Sequence, residues 1–184
     1  MDTSLIPEDI FTLLFFVTFF VAITETLLII FWNKFYFQLG IPIFKYSVKC
    51  NPSTFRVTEE RLNRIDNDRT LAKIGFKKYS IDVFMFVESY LQKSKSVRGG
   101  YTLLMRGMLY IDDEDSQVTV YGLLNTYPIF FLALSGFYAS LEQSFVISFF
   151  LPVLVFEIII YFVQLKRYKS IARRVALIID EAGS

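Results

Sequence analysis

The sequence predicts an integral membrane α-helical protein with three transmembrane helices, one N-terminal span plus a C-terminal helical hairpin, and an inserted small β-rich cytosolic domain. Three observations carry that expectation. Ile10–Trp32 holds a single charge in 23 residues. A second apolar run, Leu123–Leu165, is interrupted only by Ser140-Leu141-Glu142-Gln143-Ser144 and stops at Lys166-Arg167-Tyr168-Lys169. Between the two lie short segments with the alternation and the aromatic and β-branched content of strands.

A span needs roughly 20 residues to cross about 30 Å of hydrocarbon. Ile10–Trp32 meets that requirement once and the 123–165 run twice. The segment before Ile10 is acidic, without the basic n-region of a signal peptide, so a retained span is expected. Trp32, Phe35 and Tyr36 beside Lys34 suit an interfacial aromatic belt with a basic flank.

Residues 33–122 make the cytosolic β-rich domain. Gly40-Ile41-Pro42 and Asn51-Pro52-Ser53 punctuate its start. Ile43–Cys50 and Thr54–Thr58 read as short strands, and Thr58–Arg69 as a charged surface helix or loop. Leu71–Phe76 is too short to assign. Tyr79–Leu91 alternates as a half-buried strand, with Ile81, Val83, Met85 and Val87 on one face and Asp82, Phe84, Phe86 and Glu88 on the other. Thr102–Ile111 and Gln117–Leu124 make a hairpin around Asp112–Ser116. Five or six strands in all predict a barrel-like or sandwich-like fold whose last strand runs directly into the second span.

The hairpin divides into a helix over 123–141, a tip at 142–144 and a helix over 145–165. Pro128 falls in the first turns of the former, where proline is tolerated. Pro152 in the latter predicts a kink. Ser135, Gly136, Ala139 and Ser140 form two small-xxx-small pairs of the kind that let helices approach closely in lipid. The tail 166–184 carries five bases. Ile171, Val175 and Ile178 fall on one helical face there, so it is expected to lie on an anionic leaflet.

Charge sets the orientation. Residues 1–9 carry three acids and no base, whereas Lys34, Lys45 and Lys49 follow the first span and KRYKSIARR follows the third. The positive-inside rule then puts the N-terminus outside and the C-terminus in the cytosol, in the manner of a bacterial inner-membrane protein.

The chain has no His and one Cys, Cys50. That excludes intrachain disulfides, Cys/His zinc sites and any imidazole base. Asp112-Asp113-Glu114-Asp115 lacks the alternating spacing of a calcium loop and reads as a solvated turn. Arg98-Gly99-Gly100 lacks the Gly-Lys-Ser/Thr ending of a phosphate loop. No metal, no cofactor, no catalytic residue and no nucleic-acid partner are expected.

Two acids fall inside the spans. Glu25 lies about 22 Å from the outer end of the first and Glu157 about 18 Å from that of the third, on a 1.5 Å rise. Such a residue costs on the order of 2.5–3.5 kcal/mol on insertion scales and turns toward protein or water. The two are candidates for assembly or an ion path in one layer of the bilayer, with no basic residue in any span to pair them. The alternative is a neutral carboxyl hydrogen-bonded within the bundle. Lys93, Lys95 and Arg98, together with Lys166, Arg167, Lys169, Arg173 and Arg174, are candidates for contact with lipid headgroups or another anionic ligand.

Spans carrying a small cytosolic β domain are similar to the architecture of several bacterial membrane effectors and sensors, a likeness of fold that transfers no residue. The function expected is a non-enzymatic, multi-pass membrane protein whose cytosolic domain senses a ligand or partner. It couples that event to assembly as a homo-oligomer or to perturbation of the membrane. The alternative is an accessory or structural subunit of a larger membrane complex, with a partner membrane subunit against its spans.

Overall fold

The computed structural model describes residues 8–50, 57–64, 73–89, 104–112, 114–141 and 149–183. Helix α1 spans Glu8–Ile30. Its stretch Thr12–Ile30 is, among the described residues, the one helix long and apolar enough to cross a membrane by length and composition. Its 19 residues cover about 28 Å. The apolar side chains surround this helix instead of lining one buried stripe, and Phe16 and Phe20 are 61% and 70% exposed.

α1 ends in a Schellman motif. Asn33 N–H donates to Leu28 O and Trp32 N–H to Ile29 O, with Trp32 in the left-handed region at φ 53°. Glycine is the usual residue there; here the indole is held by stacking on buried Phe37, 6.0 Å between ring centres. Asn33 then caps the short helix α2, Lys34–Gln38, its side chain accepting from Tyr36 N–H. The aromatic run after α1 is thus a folded corner, packed on the sheet.

Among the described residues five strands follow: β1 Ile41–Lys49, β2 Lys73–Lys78, β3 Val83–Ser89, β4 Met105–Asp112 and β5 Gln117–Leu124. They form one antiparallel sheet in the order β1-β5-β4-β3-β2, with β1 and β2 at its edges. The sheet is therefore open, correcting the barrel-like or sandwich-like expectation: a helix covers the face that a second sheet would have closed. Of the expected strand Thr54–Thr58, residues 54–56 lie outside the described residues. Val57 and Thr58 instead lead into helix α3, Glu59–Arg64. Asn63 of α3 accepts from Phe76 N–H and donates to Phe76 O, while Glu59 accepts from Lys78 N–H. α3 thereby occupies backbone groups on the outer edge of β2, where an unpaired strand would invite association.

Helix α4 is Thr126–Leu141. Leu123 and Leu124 belong to β5, pairing with Arg106 and Met105, so the helix expected from residue 123 begins three residues later. The apolarity of Leu123 serves the sheet, where it is buried. Helix α5 runs Leu151–Gly183 without a break, 33 residues and about 50 Å long. The boundary expected at 165/166 is a change of surroundings within one helix. Ile171 and Val175, read as a lipid-facing stripe, are buried with Ala172, Ala176 and Ile179 against the sheet, and Ile178 is half-buried. That apolar face is spent on the core, which corrects the expectation of a tail lying on the leaflet.

The two faces of the sheet are both used. On one, Phe84 and Phe86 of β3, Met105 and Leu109 of β4, and Val118 and Val120 of β5 pack under α5. On the other, Met85, Val87, Met108 and Leu123 meet Ile29 and Phe37. The alternation of β3 has the expected parity, but its centre is buried on both sides. Gly107 lies opposite Phe86 in the β3–β4 ladder, and the Phe86 ring covers it. A Cβ there would fall 2.0 Å from a ring atom of a fully buried side chain. Gly107→Ala is expected to cost about 1–3 kcal/mol, the range for overpacked cores. A lowered unfolding midpoint in detergent checks this, and an unchanged midpoint would show that Phe86 has room to move.

Candidate functional site

The three apolar segments meet the sheet at one end. α1 delivers Ile29 to it, α4 leaves from the end of β5, and α5 arrives at Gln164 just as its apolar half ends. α1 and α5 therefore run toward the sheet and α4 away from it. What holds this junction together is polar and buried.

Arg106 is its centre. β4 alternates, so Met105 and Leu109 face α5 while Arg106 points toward α1 and α2. Its side chain is 2% exposed. Nη1 donates to Tyr36 Oη (2.9 Å), Leu124 O (2.8 Å) and Asn125 Oδ1 (3.2 Å), and Nη2 donates to Tyr36 O (2.9 Å). The guanidinium lies over the Tyr36 ring, 3.7 Å from its centre. Glu25 Oε1 is 4.0 Å from Nη1. Burial pushes the Arg106 pKa down to about 10, with the Glu25 carboxylate opposing the shift, so the group is charged at neutral pH. A chain entering with any side chain at Gly40 would collide here: a Cβ would fall 2.7 Å from Nη2 and 2.8 Å from Leu123 Cβ.

Glu25 completes the arrangement from α1. Its two oxygens accept from Thr126 N–H and, at 2.7 Å, Tyr127 N–H. These belong to the first turn of α4, whose N–H groups have no partners within their own helix. One helix thus caps another through a carboxylate, a placement that also suits the dipole of α4. The expectation that a span acid has no basic partner is overturned, because Arg106 reaches Glu25 from the sheet and not from a span.

A second node fixes α5. Gln164 is fully buried; its Oε1 accepts from Leu104 N–H and Met105 N–H, both 3.2 Å, and its Nε2 donates to Met105 O (3.3 Å) and Glu88 Oε2 (3.4 Å). Tyr168 Oη donates to Met105 O at 2.8 Å. Arg167 Nε lies 3.4 Å from Glu88 Oε1, with Glu88 fully buried. The amide of Gln164 satisfies backbone groups at the start of β4 that would otherwise be orphaned under the helix.

Glu157 lies elsewhere. It lines a cleft of about 590 Å³ between the three helices, with Phe15, Thr18, Phe19 and Ala22 of α1, Tyr127, Pro128, Phe131 and Leu134 of α4, and Val153, Phe156 and Ile160 of α5. No described residue hydrogen-bonds to its carboxyl, and no hydrogen bond joins it to Glu25. Glu25 uses its oxygens on α4.

The small residues of α4 divide as well. Ser135 is buried and donates to Leu132 O, Gly136 faces Phe150, and Ser140 is exposed and donates to Phe137 O. The side chain of Ala139 lies outside the described residues. The bases are sorted by the C-terminal half of α5. Arg167 turns to Glu88, and Lys169 and Arg173 lie over the ring of Tyr46, Arg173 Nε donating to Tyr46 Oη at 3.2 Å. Lys166 and Arg174 are on the exposed side. Lys93, Lys95 and Arg98 lie outside the described residues. At the β4–β5 turn, Asp112 Oδ1 accepts from the N–H groups of Glu114 and Asp115, so its carboxylate folds back on its own turn.

Arg106, Gln164, Glu88 and Tyr36 are absent from the sequence-based candidates. Two carried a signal: Arg106 is a lone base within the apolar sequence 103–111, and Gln164 is the one uncharged amide in the 145–165 run. A polar residue in such surroundings is the informative one. No protein-family model, curated protein or solved structure matches this chain, so its function is argued from this geometry.

Removing one partner of a buried pair strands the other. Arg106→Met is expected to destabilise by about 3–5 kcal/mol, and Glu25→Gln by less, since an amide oxygen still accepts from Thr126. The double variant should fall short of the sum of the two, by about 0.5–3 kcal/mol of coupling. Chemical unfolding in detergent measures the cycle; strict additivity would mean that Arg106 and Glu25 act independently.

Proposed function

We propose that this chain is a non-enzymatic multi-pass membrane protein whose sheet receives a ligand or partner and passes that event to a three-helix bundle, changing its assembly as a homo-oligomer or its effect on the lipid. The observation that carries the reading is the Arg106 network. A side chain of the sheet holds α2 and the end of β5 directly and, through Glu25, the first turn of α4. A displacement of β4 therefore moves the ends of two membrane helices together. The Gln164 node supports the same reading for α5.

In the proposed topology α1, α4 and the apolar half of α5 each cross the membrane, with the N-terminus outside and the sheet in the cytosol. Three features support it: the helices converge on the sheet from one side, apolar side chains such as Phe20, Phe130 and Phe162 face outward, and the bases cluster at the sheet end. In the Cys50→Ser background, a membrane-impermeant maleimide should label Thr3→Cys in intact cells and Gly183→Cys only after permeabilisation. Labelling in the opposite order would reverse the topology.

The coupling has its own test. Purified in detergent, the chain is expected to form a discrete homo-oligomer, and Glu25→Gln to change its stoichiometry or the dye leakage it causes in liposomes. A monomer that causes no leakage, unaltered by the substitution, would favour the accessory-subunit reading instead.

A further inference from the structure

The cleft between the helices is open to chemistry that neither the junction nor the sheet uses. Its volume, about 590 Å³, falls in the range of sites for small molecules, whose linings are predominantly apolar with a few placed polar groups. Among the described lining residues the polar side chains are those of Glu157, Thr18 and Tyr127, and the rest are apolar. Thr18 Oγ1 already donates to Leu14 O within its own helix. Glu157 is the acid of the cleft, and it accepts no hydrogen bond from a described residue.

Two constraints select the occupant. A plain hydrocarbon chain fills the volume but leaves the Glu157 carboxyl among apolar atoms with nothing to hydrogen-bond or pair with, which is costly for a polar group in either protonation state. A small inorganic cation pairs with the carboxylate but has at most Thr18 and Tyr127 to add oxygens to it, short of the set a hard cation takes, and leaves the volume unfilled. Both demands are met by an apolar body ending in one ammonium group. We infer that the cleft between α1, α4 and α5 is a binding site for a lipophilic amine, held by an ion pair with Glu157 and by packing on Phe15, Phe131 and Phe156.

Position along the helices orients the ligand. Val153 precedes Glu157 on α5 by about one turn and Ile160 follows it by about one, while Leu104 and Tyr127 belong to the sheet end. The ammonium therefore lies toward the sheet and the apolar body extends away from it. This inference rests on the cleft and not on the proposed role of the sheet, so either holds without the other.

Dodecylamine and dodecanol share a chain and differ in the charged head, which makes them the probes. With the full-length protein in phosphatidylcholine nanodiscs, radiolabelled dodecylamine is expected to bind saturably at one site per chain, at least tenfold more tightly than dodecanol. Empty nanodiscs supply the partition background. Glu157→Gln should remove at least tenfold of the amine's affinity and leave that of dodecanol unchanged. Ala22→Trp, which fills the cleft while keeping the acid, should abolish binding of both. Circular dichroism and elution volume establish that each variant is folded; Glu157→Asp is the second carboxylate variant and should retain the preference for the amine. Equal binding of the two probes, or amine binding indifferent to Glu157→Gln, would show a groove for lipid hydrocarbon and overturn the inference. Loss of an oligomer in Ala22→Trp with no saturable amine binding in wild type would show that a second copy occupies the cleft, and would overturn it equally.

Discussion

A buried guanidinium constrains this fold more than any single apolar contact. A cation removed from water must be surrounded by acceptors or it destabilises the structure that buries it. The acceptors of Arg106 come from α2, from the end of β5 and from Asn125, with Glu25 of α1 at 4.0 Å. These groups are far apart in sequence, so pairing the two terminal nitrogens of one side chain fixes the relative positions of elements from residue 25 to residue 127. The same requirement explains Gly40, since the chain between α2 and β1 passes too close to the guanidinium for a Cβ. It also explains how α4 can start within two residues of a strand: Glu25 supplies the acceptors that its first turn lacks.

α5 meets a different problem, one helix in two surroundings. Its first half exposes apolar side chains on several sides, with Val155, Ile159 and Phe162 each more than half exposed. Its second half keeps apolar residues on one face, at 168, 171, 172, 175, 176 and 179, and charges on the other. The crossover falls at Gln164, a polar residue that costs little because every one of its hydrogen-bonding functions meets the start of β4 or Glu88. Tyr168, one turn on, repeats the contact with Met105 O and meets Phe86 edge to face, 4.8 Å between ring centres. The helix is thereby fixed in rotation as well as in position.

Much of the architecture is legible in the sequence because it depends on local pattern. The apolar runs, the alternation of β3 and the β4–β5 hairpin around Asp112–Ser116 follow from periodicity and turn chemistry. What periodicity does not carry is the identity of the partner. The stripe at Ile171 and Val175 has the spacing of a helix on lipid and equally that of a helix on a sheet; only the unfilled face of the open sheet decides. Leu123 and Leu124 look like the start of a span for the same reason, since a strand buried at its end and a membrane helix share the same residues. Glu25 stands out as an acid among apolar residues, yet its partners are backbone groups a hundred residues away and a base on a strand. Depth along a helix axis paired it with Glu157, whereas the structure pairs it with the junction. Arg106 and Gln164 were readable as polar residues in apolar segments. Their roles were not, because those roles exist only once three helices and a sheet have converged.

The cleft and the junction have one residue in common. Tyr127 lines the cleft and its amide donates to Glu25. Ala22, also in the wall, precedes Glu25 by three residues on α1, about one helical turn. Whatever occupies the cleft therefore packs against the turn that Glu25 caps, and whatever moves Arg106 acts on the same turn from the other side. Linkage makes any such coupling reciprocal in binding free energy. Under the proposed function, a ligand received by the sheet and an amine held by Glu157 would act on one element, the first turn of α4. The sense of the effect, mutual support or antagonism, is set by whether both favour the capped arrangement of that turn.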